Sequence, residues 1–501
     1  MTPLPRRGKR RETRSLGALR VRGSAVKAPD MPISQSHLDS PFASRYGSDE
    51  MRAIWSDANK RRVWRRIWVA LAEAQAHAGL VTPEQVADLR AHADHPNTER
   101  ALELEEEIGH DVMAEVRAFA EQCPVGGGII HWGATSADIT DNADVLRQRQ
   151  ALQLLRGGLA ELLRAFAEQI TQHKSLACMA YTHLQPAEPT TLGYRLAVYA
   201  QDLLIHLGAL DQLILGVRGK GMKGAVGTAA AYAELLVGTG LSPEALEAQV
   251  MESLGLAPFL VTTQTYPRTQ DYRVLTALAG LAASLHKFAF DLRVLQSPGF
   301  GELAEPFGEK QVGSSAMPFK RNPVSAEKIC SLARFVAALP AVAWENAAEA
   351  LLERTLDDSA NRRAIFPEAF LACDEMLRTA TRILRGLVVD TMACAANLEK
   401  YGPFAATERV LMALVRAGAD RQAMHERLRE HSLKAWSVIK AGRPNSLAGS
   451  LNTDTALLRH LQPARLSELM DVREHIGIAV ERAERLVTEL KQAISSDREG
   501  A

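Results

Sequence analysis

Three long stretches of this 501-residue chain carry apolar residues at every third or fourth position. They lie within residues 152–170, 196–214 and 278–295. Such spacing gives each helix one apolar face, and helices of about 30 residues would be about 45 Å long. A fourth helix is predicted to begin at Pro323, with Asn322 as its N-cap. We therefore expect an all-α protein with a long central helix bundle.

The composition and length support this architecture and indicate several domains. Hydrophobic residues make up 47% of the chain and aromatic residues only 5%, a balance that favours helices over strands. A chain of this length exceeds a single compact core. We predict a disordered basic leader over 1–39, an N-terminal helical domain over 40–135, a central helix-bundle domain over 136–390 and a C-terminal helical domain over 391–501. Helix breaks are expected at Gly402-Pro403 and at Gly442.

Charge and cysteine content exclude several classes of partner. Basic and acidic residues balance at 59 each, so we expect neither nucleic acid nor membrane as a partner. The leader is basic, but its prolines and glycines favour disorder over a targeting helix. No run of about 18 apolar residues predicts a membrane span. The five cysteines show no C-x-x-C pair, which indicates neither a disulfide framework nor a zinc site and fits a cytoplasmic protein.

One motif imitates a nucleotide-binding fingerprint. The segment GKGMKG, residues 219–224, has the spacing G-x-G-x-x-G. A dinucleotide site needs a strand before this motif, whereas the preceding residues complete a helical stripe. We interpret the glycines as ordinary turn residues.

The segment QVGSSAMPFKRNP (311–323) ends a glycine-rich loop that begins near residue 297. A loop of that length inside a compact domain is usually a lid or a binding loop. The hydroxyl of Ser314 would act as a base if Lys320, the backbone N–H groups of the Gly-Ser-Ser turn and the positive end of the helix at Pro323 stabilised its ionised form. The alternative is a glycine turn followed by a capped helix.

Two further clusters suggest an acid and an anion site. In YTHLQPAEPTT (181–191), His183 is a candidate general acid, although a lone histidine is often structural. In HWGATSADITDNA (131–143), Thr135 and Ser136 precede a helix expected at about Asp141. These residues fit either N-capping or anion binding.

A fourth cluster, ERTLDDSANRR (353–363), suggests a phosphate site. Ser359 and Arg363 are four positions apart and would share a helical face, and arginine holds phosphate through paired hydrogen bonds. The alternative is that Asp357 and Asp358 neutralise the arginines in surface ion pairs. The segment SRYGSDEM (44–51) adds a possible second phosphate contact.

Together these clusters resemble the fumarase/aspartase superfamily of β-eliminating lyases and, within it, the adenylosuccinate lyase family. GSSAMPFKRNP is similar to the highly specific superfamily signature GSSxMPxKxNP, and THLQPA to its T-H-x-Q-P-A segment. ERTLDDSANRR, SRY, GATS and TQTY resemble the adenylosuccinate lyase family in particular. The similarity extends over about residues 40–490.

The resemblance implies a carbon–nitrogen lyase that acts on small nucleotide substrates. It would release fumarate from adenylosuccinate, giving AMP, and from succinylaminoimidazole carboxamide ribotide, giving AICAR, in purine biosynthesis. It implies a homotetramer with a 20-helix core, whose active sites are each shared among three subunits. It also implies no metal and no organic cofactor.

The resemblance also assigns roles to individual residues. Ser314 would be the catalytic base and His183 the catalytic acid. The remaining residues would bind substrate: Arg45, Tyr46, His110, Asp111, Thr135, Ser136, Gln264, Lys320, Asn322, Arg354, Ser359 and Arg363. Two positions depart from the family pattern, since Gly109 and Lys328 stand where arginine is usual.

Three alternatives compete with this interpretation. Argininosuccinate lyase and carboxymuconate cycloisomerase share the serine loop, but neither handles a nucleotide, so the arginines of 353–363 argue against both. A non-catalytic helical scaffold is also conceivable. The presence of Ser314, His183 and Lys320 together argues against it.

Overall fold

The computed structural model of the chain describes residues 40–495. Within that range it consists of nineteen α-helices and four short strands, so the predicted all-α class is confirmed. The predicted leader over 1–39 lies outside the described residues. The N-terminal part contains α1 (Pro41–Ser44), α2 (Asp49–Trp55), α3 (Asp57–His77), α4 (Pro83–His92), α5 (Thr98–Ile108) and α6 (Asp111–Gln122).

The central part is dominated by five long helices. In chain order it contains α7 (Ser136–His173), α8 (Leu192–Gly216), α9 (Ala230–Leu235), α10 (Pro243–Ser253), α11 (Thr269–Leu295), α12 (Val324–Ala348) and α13 (Asp357–Arg385). The three predicted apolar stripes lie on α7, α8 and α11, and all their residues except the half-buried Ile214 are buried. The five long helices share one hydrophobic core with most of the N-terminal helices.

Two small antiparallel sheets accompany the helices. β1 (Ala177–Thr182) and β2 (Gln185–Thr191) form a hairpin between α7 and α8. β3 (Leu303–Ala304) pairs with β4 (Val388–Val389), which joins the loop before α12 to the start of the C-terminal part. Both sheets therefore lie at points where the long helices begin or end.

The C-terminal part contains α14 (Thr391–Arg416), α15 (Arg421–Lys440), α16 (Leu447–Leu451), α17 (Thr455–Leu458), α18 (Pro463–Met470) and α19 (Ala479–Ser495). Its helices before α19 enclose a second hydrophobic core. The last helix, α19, instead contributes to the core of the long helices through Ala483, Leu486 and Leu490. Among the described residues, no helix has both the length and the apolar character needed to cross a membrane.

Three predicted helix limits were wrong. α7 begins at Ser136 rather than at about Asp141, and α12 begins at Val324 rather than at Pro323. α14 continues through Gly402-Pro403, because Leu398, Gly402 and Ala406 lie on one buried face that packs against the C-terminal core. That tertiary contact offsets the cost of an internal proline. The predicted break at Gly442 is confirmed, since α15 ends at Lys440.

Candidate active site

The signature loop, residues 311–323, places two backbone donors on the hydroxyl of Ser314. Its Oγ accepts hydrogen bonds from the N–H groups of Met317 at 3.1 Å and Ala316 at 3.4 Å. Donors aimed at an oxygen stabilise the negative charge that develops when its proton leaves. The donors are the N–H groups of Ala316 and Met317 rather than those of the Gly-Ser-Ser turn that the sequence suggested.

The second predicted source of stabilisation, the positive end of α12, is already occupied. The carboxylate of Glu305 accepts from the N–H groups of Ser325 at 3.0 Å and Ala326 at 2.9 Å, and Glu305 is buried. Asn322 was predicted to cap this helix, but its side chain instead donates to the carbonyl of Gly313 at 3.0 Å. Asn322 therefore closes the signature loop, and a distant acid caps the helix.

Further contacts hold the loop while leaving its lysine accessible. Gln296 donates to the carbonyl of Arg321 at 3.1 Å, and the Arg321 guanidinium lies 5.1 Å from the centre of the Phe307 ring. Lys320 is exposed. Since no side chain neutralises Lys320 within residues 40–495, its ammonium can meet an anionic ligand.

His183 lies at the tip of the β1–β2 hairpin in an unusual backbone conformation. The two turn residues, His183 and Leu184, have φ values of 53° and 59°. Two-residue hairpin turns of this kind favour Asn-Gly, because positive φ strains other residues. Both side chains are exposed. The hairpin therefore projects an imidazole outward at an energetic cost, which is typical of functional positions.

Several predicted residues gather around the first half of α13. Arg363 lies on α13 and donates to Asp111 at 2.9 Å, which connects it to the start of α6. His110 caps α6 by accepting from the N–H of Met113 at 3.3 Å. His110, Asp111 and Arg363 are thus brought together at the protein surface.

The segment before α13 joins the same region. The N–H of Gln264 donates to the carbonyl of Glu353 at 3.2 Å, and Arg354 donates to Asp358 at 2.8 Å. Arg354 therefore pairs with an aspartate, as the alternative predicted, but Asp358 is buried and the pair is not an ordinary surface one. Ser359 lies on α13 one turn before Arg363, so the two share a face as expected.

The segment containing Arg45 and Tyr46 lies near a later turn of α13. The next residue, Gly47, donates its N–H to Glu375 at 3.2 Å, and Glu375 also pairs with Lys328 on α12. Burial alone would raise the pKa of Glu375, but its contact with the Lys328 ammonium lowers it. Lys328, where the family usually has arginine, therefore links α12 to the Arg45 segment through α13.

Thr135 and Ser136 lie at the start of α7, above a buried carboxylate. Asp138 accepts from the N–H of Thr135 at 3.0 Å and from that of Gly224 at 3.2 Å, and it pairs with the fully buried Lys220. The GKGMKG motif is thus a turn packed against the beginning of α7. This agrees with the interpretation of its glycines as turn residues.

Within a single chain, the predicted site residues do not all lie in contact with one another. In the described part of the chain, no hydrogen bond, ion pair or ring contact connects His183 with Ser314, or either of them with the group on α13. The predicted residues therefore occupy three places: the signature loop, the hairpin tip and the surface around α13.

A possible metal-binding group lies elsewhere, in the N-terminal part. Ligand atoms of Asp88, His92 and Cys123 lie within 4.8 Å of one another. Asp88 already accepts from the N–H groups of Val125 and Gly126, both at 2.8 Å. Burial and the Asp88 carboxylate raise the pKa of the Cys123 thiol to about 12. These contacts indicate a structural anchor for the loop after α6.

Comparison with known proteins agrees with these features. A family model described as Lyase matches residues 44–337, and one described as Adenylosuccinate lyase C-terminus matches residues 403–486. The adenylosuccinate lyase of Schistosoma mansoni is 41% identical over 464 residues, which cover 91% of this chain and 95% of that protein. The adenylosuccinate lyase of Saccharomyces cerevisiae is 39% identical, with coverages of 89% and 93%.

The chain belongs to the adenylosuccinate lyase family. Among solved structures, a 3-carboxy-cis,cis-muconate lactonizing enzyme from Pseudomonas putida has a TM-score of 0.80 at 26% identity, over 91% of this chain and all of that one. A fumarate lyase from Mesorhizobium has a TM-score of 0.77 at 26% identity, over 88% and 98%. The fold is therefore that of the wider group of helical lyases.

The sequence did not predict the buried ion pairs that Arg268 forms beside the candidate active site. Arg268 donates to Asp141 on α7 at 3.0 Å and to Asp358 on α13 at 2.7 Å. Burial alone would raise the pKa of Asp358, but the guanidinium groups of Arg268, Arg362 and Arg354 lower it. Arg268 is far in sequence from both aspartates, so only the fold reveals its contacts, whereas Arg354 and Asp358 are four positions apart in the chain.

Gly109, the other departure from the family pattern, has a clear backbone role. It ends α5 with φ 67°, and its N–H donates to the carbonyl of Glu105 at 2.8 Å. A left-handed residue at a helix C-terminus favours glycine. A Cβ at Gly109 would meet no atom within 4 Å, so an arginine there would cost only the strain of the left-handed conformation.

Proposed function

We propose that this protein cleaves adenylosuccinate to AMP and fumarate by β-elimination, and cleaves succinylaminoimidazole carboxamide ribotide to AICAR and fumarate. The observation that carries the proposal is the hydroxyl of Ser314, which accepts two backbone N–H groups inside a loop that also presents the free ammonium of Lys320. This arrangement suits proton removal from a carbon beside a carboxylate.

In the proposed reaction, Ser314 takes the proton from the succinyl β-carbon. The electrons of that C–H bond form the double bond of fumarate, and the C–N bond breaks with its electron pair moving to nitrogen. His183 gives a proton to the departing nitrogen. Lys320 binds a succinyl carboxylate, whose charge grows as the carbanion forms, while Asn322 holds the loop and faces the same ligand.

The phosphate and ribose of the substrate would bind at the surface around α13. Arg363 is 63% exposed and Arg354 is half-buried, so both guanidinium groups are accessible to an anion. Guanidinium groups bind phosphate through paired hydrogen bonds. Ser359, His110 and Gln264 would complete the nucleotide contacts, and Arg45, Tyr46, Asp111, Thr135 and Ser136 are proposed to complete the site.

A homotetramer would bring the three places together. Ser314 and His183 have no contact within one described chain, and the long helices leave large apolar side chains uncovered. Val198 and Ile205 on α8 are 50% and 63% exposed, Phe290 on α11 is 48% exposed and Trp344 on α12 is 55% exposed. Four copies of the five long helices would give the implied 20-helix core, with each site shared among three subunits.

A reducing compartment such as the cytoplasm is the proposed location. All five cysteines are free and buried, and none is part of a disulfide within residues 40–495. Disulfides are rare in proteins of the cytoplasm.

The decisive experiment is incubation of the purified protein with adenylosuccinate, followed by chromatographic detection of AMP and fumarate in equal amounts. Argininosuccinate and carboxymuconate, tested in parallel, should not be converted. Ser314→Ala should still bind adenylosuccinate but release no fumarate. Conversion of either competing compound at a higher rate, or full turnover by Ser314→Ala, would contradict the proposal.

A further inference from the structure

The hairpin that presents His183 is fixed to the rest of the chain by a partly buried guanidinium. Arg195, on α8, donates to the carbonyl of Met179 on β1 with one nitrogen. With another it donates to Glu302 at 2.6 Å. The Arg195 side chain is 13% exposed and the Glu302 side chain is fully buried. One planar group thus joins the hairpin strand to the segment 300–305.

A second contact joins the same two segments. The ring of Tyr181, two residues before His183, packs edge-to-face on Phe300 with 4.8 Å between ring centres. The side chain of Asn397 donates to the carbonyl of Phe300 at 2.9 Å and to Glu302 at 3.0 Å. The segment 300–305 is therefore held from α14 as well, so the hairpin rests on a fixed support.

The same segment leads directly to the signature loop. Glu305, three residues after Glu302, caps α12 through the N–H groups of Ser325 and Ala326. The residues between the two acids form β3 and pair with β4. Two buried carboxylates on one short segment therefore support, respectively, the hairpin carrying His183 and the helix that follows Ser314.

We propose that Arg195 is a positioning residue, whose guanidinium, held by Glu302, sets the orientation of the hairpin that presents His183. The proposal rests on the proposed function, since it assigns Arg195 to the alignment of the proton donor. The strained turn makes such support necessary, because a two-residue turn with two non-glycine residues at positive φ persists only when its surroundings hold it.

The diagnostic variant is Arg195→Lys. A lysine keeps the positive charge beside the buried Glu302, so an uncompensated buried charge is avoided. A single ammonium lacks the planar fork needed to bind Glu302 and the Met179 carbonyl together. We expect kcat for fumarate release to fall at least about tenfold, since small misplacements of a catalytic group are costly, while KM changes less than about threefold. Unchanged kcat would overturn the proposal.

Asp454→Asn provides a matched control. Asp454 is a buried carboxylate between α16 and α17 that accepts from Arg427 at 2.7 Å and from His431 at 2.8 Å, and among the described residues it has no hydrogen bond or ion pair with the hairpin. The Asp454→Asn substitution should lower the melting temperature and leave kcat for fumarate release unchanged. If Asp454→Asn lowers kcat as much as Arg195→Lys does, the effect is general destabilisation and the positioning role is refuted.

Mixed assemblies test which segment Arg195 serves. A Ser314→Ala chain mixed with a His183→Ala chain should restore activity at sites that combine the intact His183 of the first with the intact Ser314 of the second. Adding Arg195→Lys to the Ser314→Ala chain, which supplies the intact His183, should abolish most of that activity. Adding Arg195→Lys to the His183→Ala chain should have little effect. Equal loss in both placements would refute a specific role at the hairpin.

Amide hydrogen exchange tests the inference independently of activity. Exchange over residues 177–191 should be faster in Arg195→Lys than in the unmodified protein, and exchange in α15 should be unchanged. Unchanged exchange over 177–191 would overturn the positioning role. If the unmodified protein releases no fumarate, or the mixed chains restore nothing, the proposed reaction or the shared site is wrong, and the exchange result alone decides the role of Arg195.

Discussion

Gly313→Ala should inactivate the signature loop without unfolding the protein. A Cβ at Gly313 would lie 2.2 Å from the carbonyl oxygen of Lys320 and 3.1 Å from two ring carbons of Phe307. Normal carbon–oxygen contacts are about 3.3 Å or longer, so the backbone at Lys320 would have to move by roughly 1 Å. Because the obstacle is a backbone carbonyl, no side-chain rotation relieves it.

That displacement acts on Ser314 and Lys320 together, because both belong to the loop that closes at Gly313. A misplacement of about 1 Å can cost about 10²-fold in rate, so kcat/KM for fumarate release should fall by about 10²-fold. The melting temperature should change little, because residues 315–321 are exposed.

Gly308→Ala is the matched control, since it lies in the same glycine-rich loop. Its added Cβ would be 3.7 Å from the nearest atom, in Gln311, which is an ordinary contact. We expect normal turnover. The reasoning fails if Gly313→Ala retains full activity, or if both variants lose activity equally.

Three further predictions concern the acid, the phosphate site and pH. His183→Ala should lower kcat at least about 10²-fold in steady-state assays, the usual scale for a lost general acid, and a smaller loss would count against that role. Arg363→Ala should raise KM about 10- to 100-fold, because it removes a charge-assisted hydrogen bond to phosphate. Arg385→Ala, on the same helix as Arg363, breaks an exposed pair with Glu161 on α7 and should leave KM unchanged, and equal effects would refute the phosphate contact. Burial raises the pKa of Asp374, so its carboxyl binds a proton more readily in the folded state than in the unfolded chain. The contribution of Asp374 to the free energy of unfolding therefore falls as the pH rises above about 4. Asp374→Asn should therefore increase the free energy of unfolding in urea at pH 7 more than at pH 4, and an equal change at both would contradict this assignment.

The sequence was sufficient for the features that depend on local pattern. The stripes on α7, α8 and α11 are periodic over several turns, and burial follows that period. Ser314 was predicted as the base from its loop alone, and the backbone groups that donate to its hydroxyl lie within three residues of it. Local motifs and long helices are therefore predictable without knowledge of tertiary contacts.

Features that depend on distant residues were not predictable. Asn322 before a proline has the ordinary pattern of an N-cap, yet Glu305 performs that role from an earlier segment. The β1–β2 hairpin was not predicted, because Pro186 and Pro189 argue against a strand and the segment does not alternate. In both cases a tertiary contact outweighs the local preference.

The hairpin tip shows why such local conflicts carry functional information. Turn chemistry favours Asn-Gly where this chain has His183 and Leu184, and positive φ costs about 1–2 kcal/mol per non-glycine residue. Nothing in the core requires either side chain, since both are exposed. The strained turn is exposed and is held by Arg195 and the buried Glu302, so its two residues add no buried contacts of their own. This agrees with the proposed role of the His183 imidazole in a site shared within a tetramer.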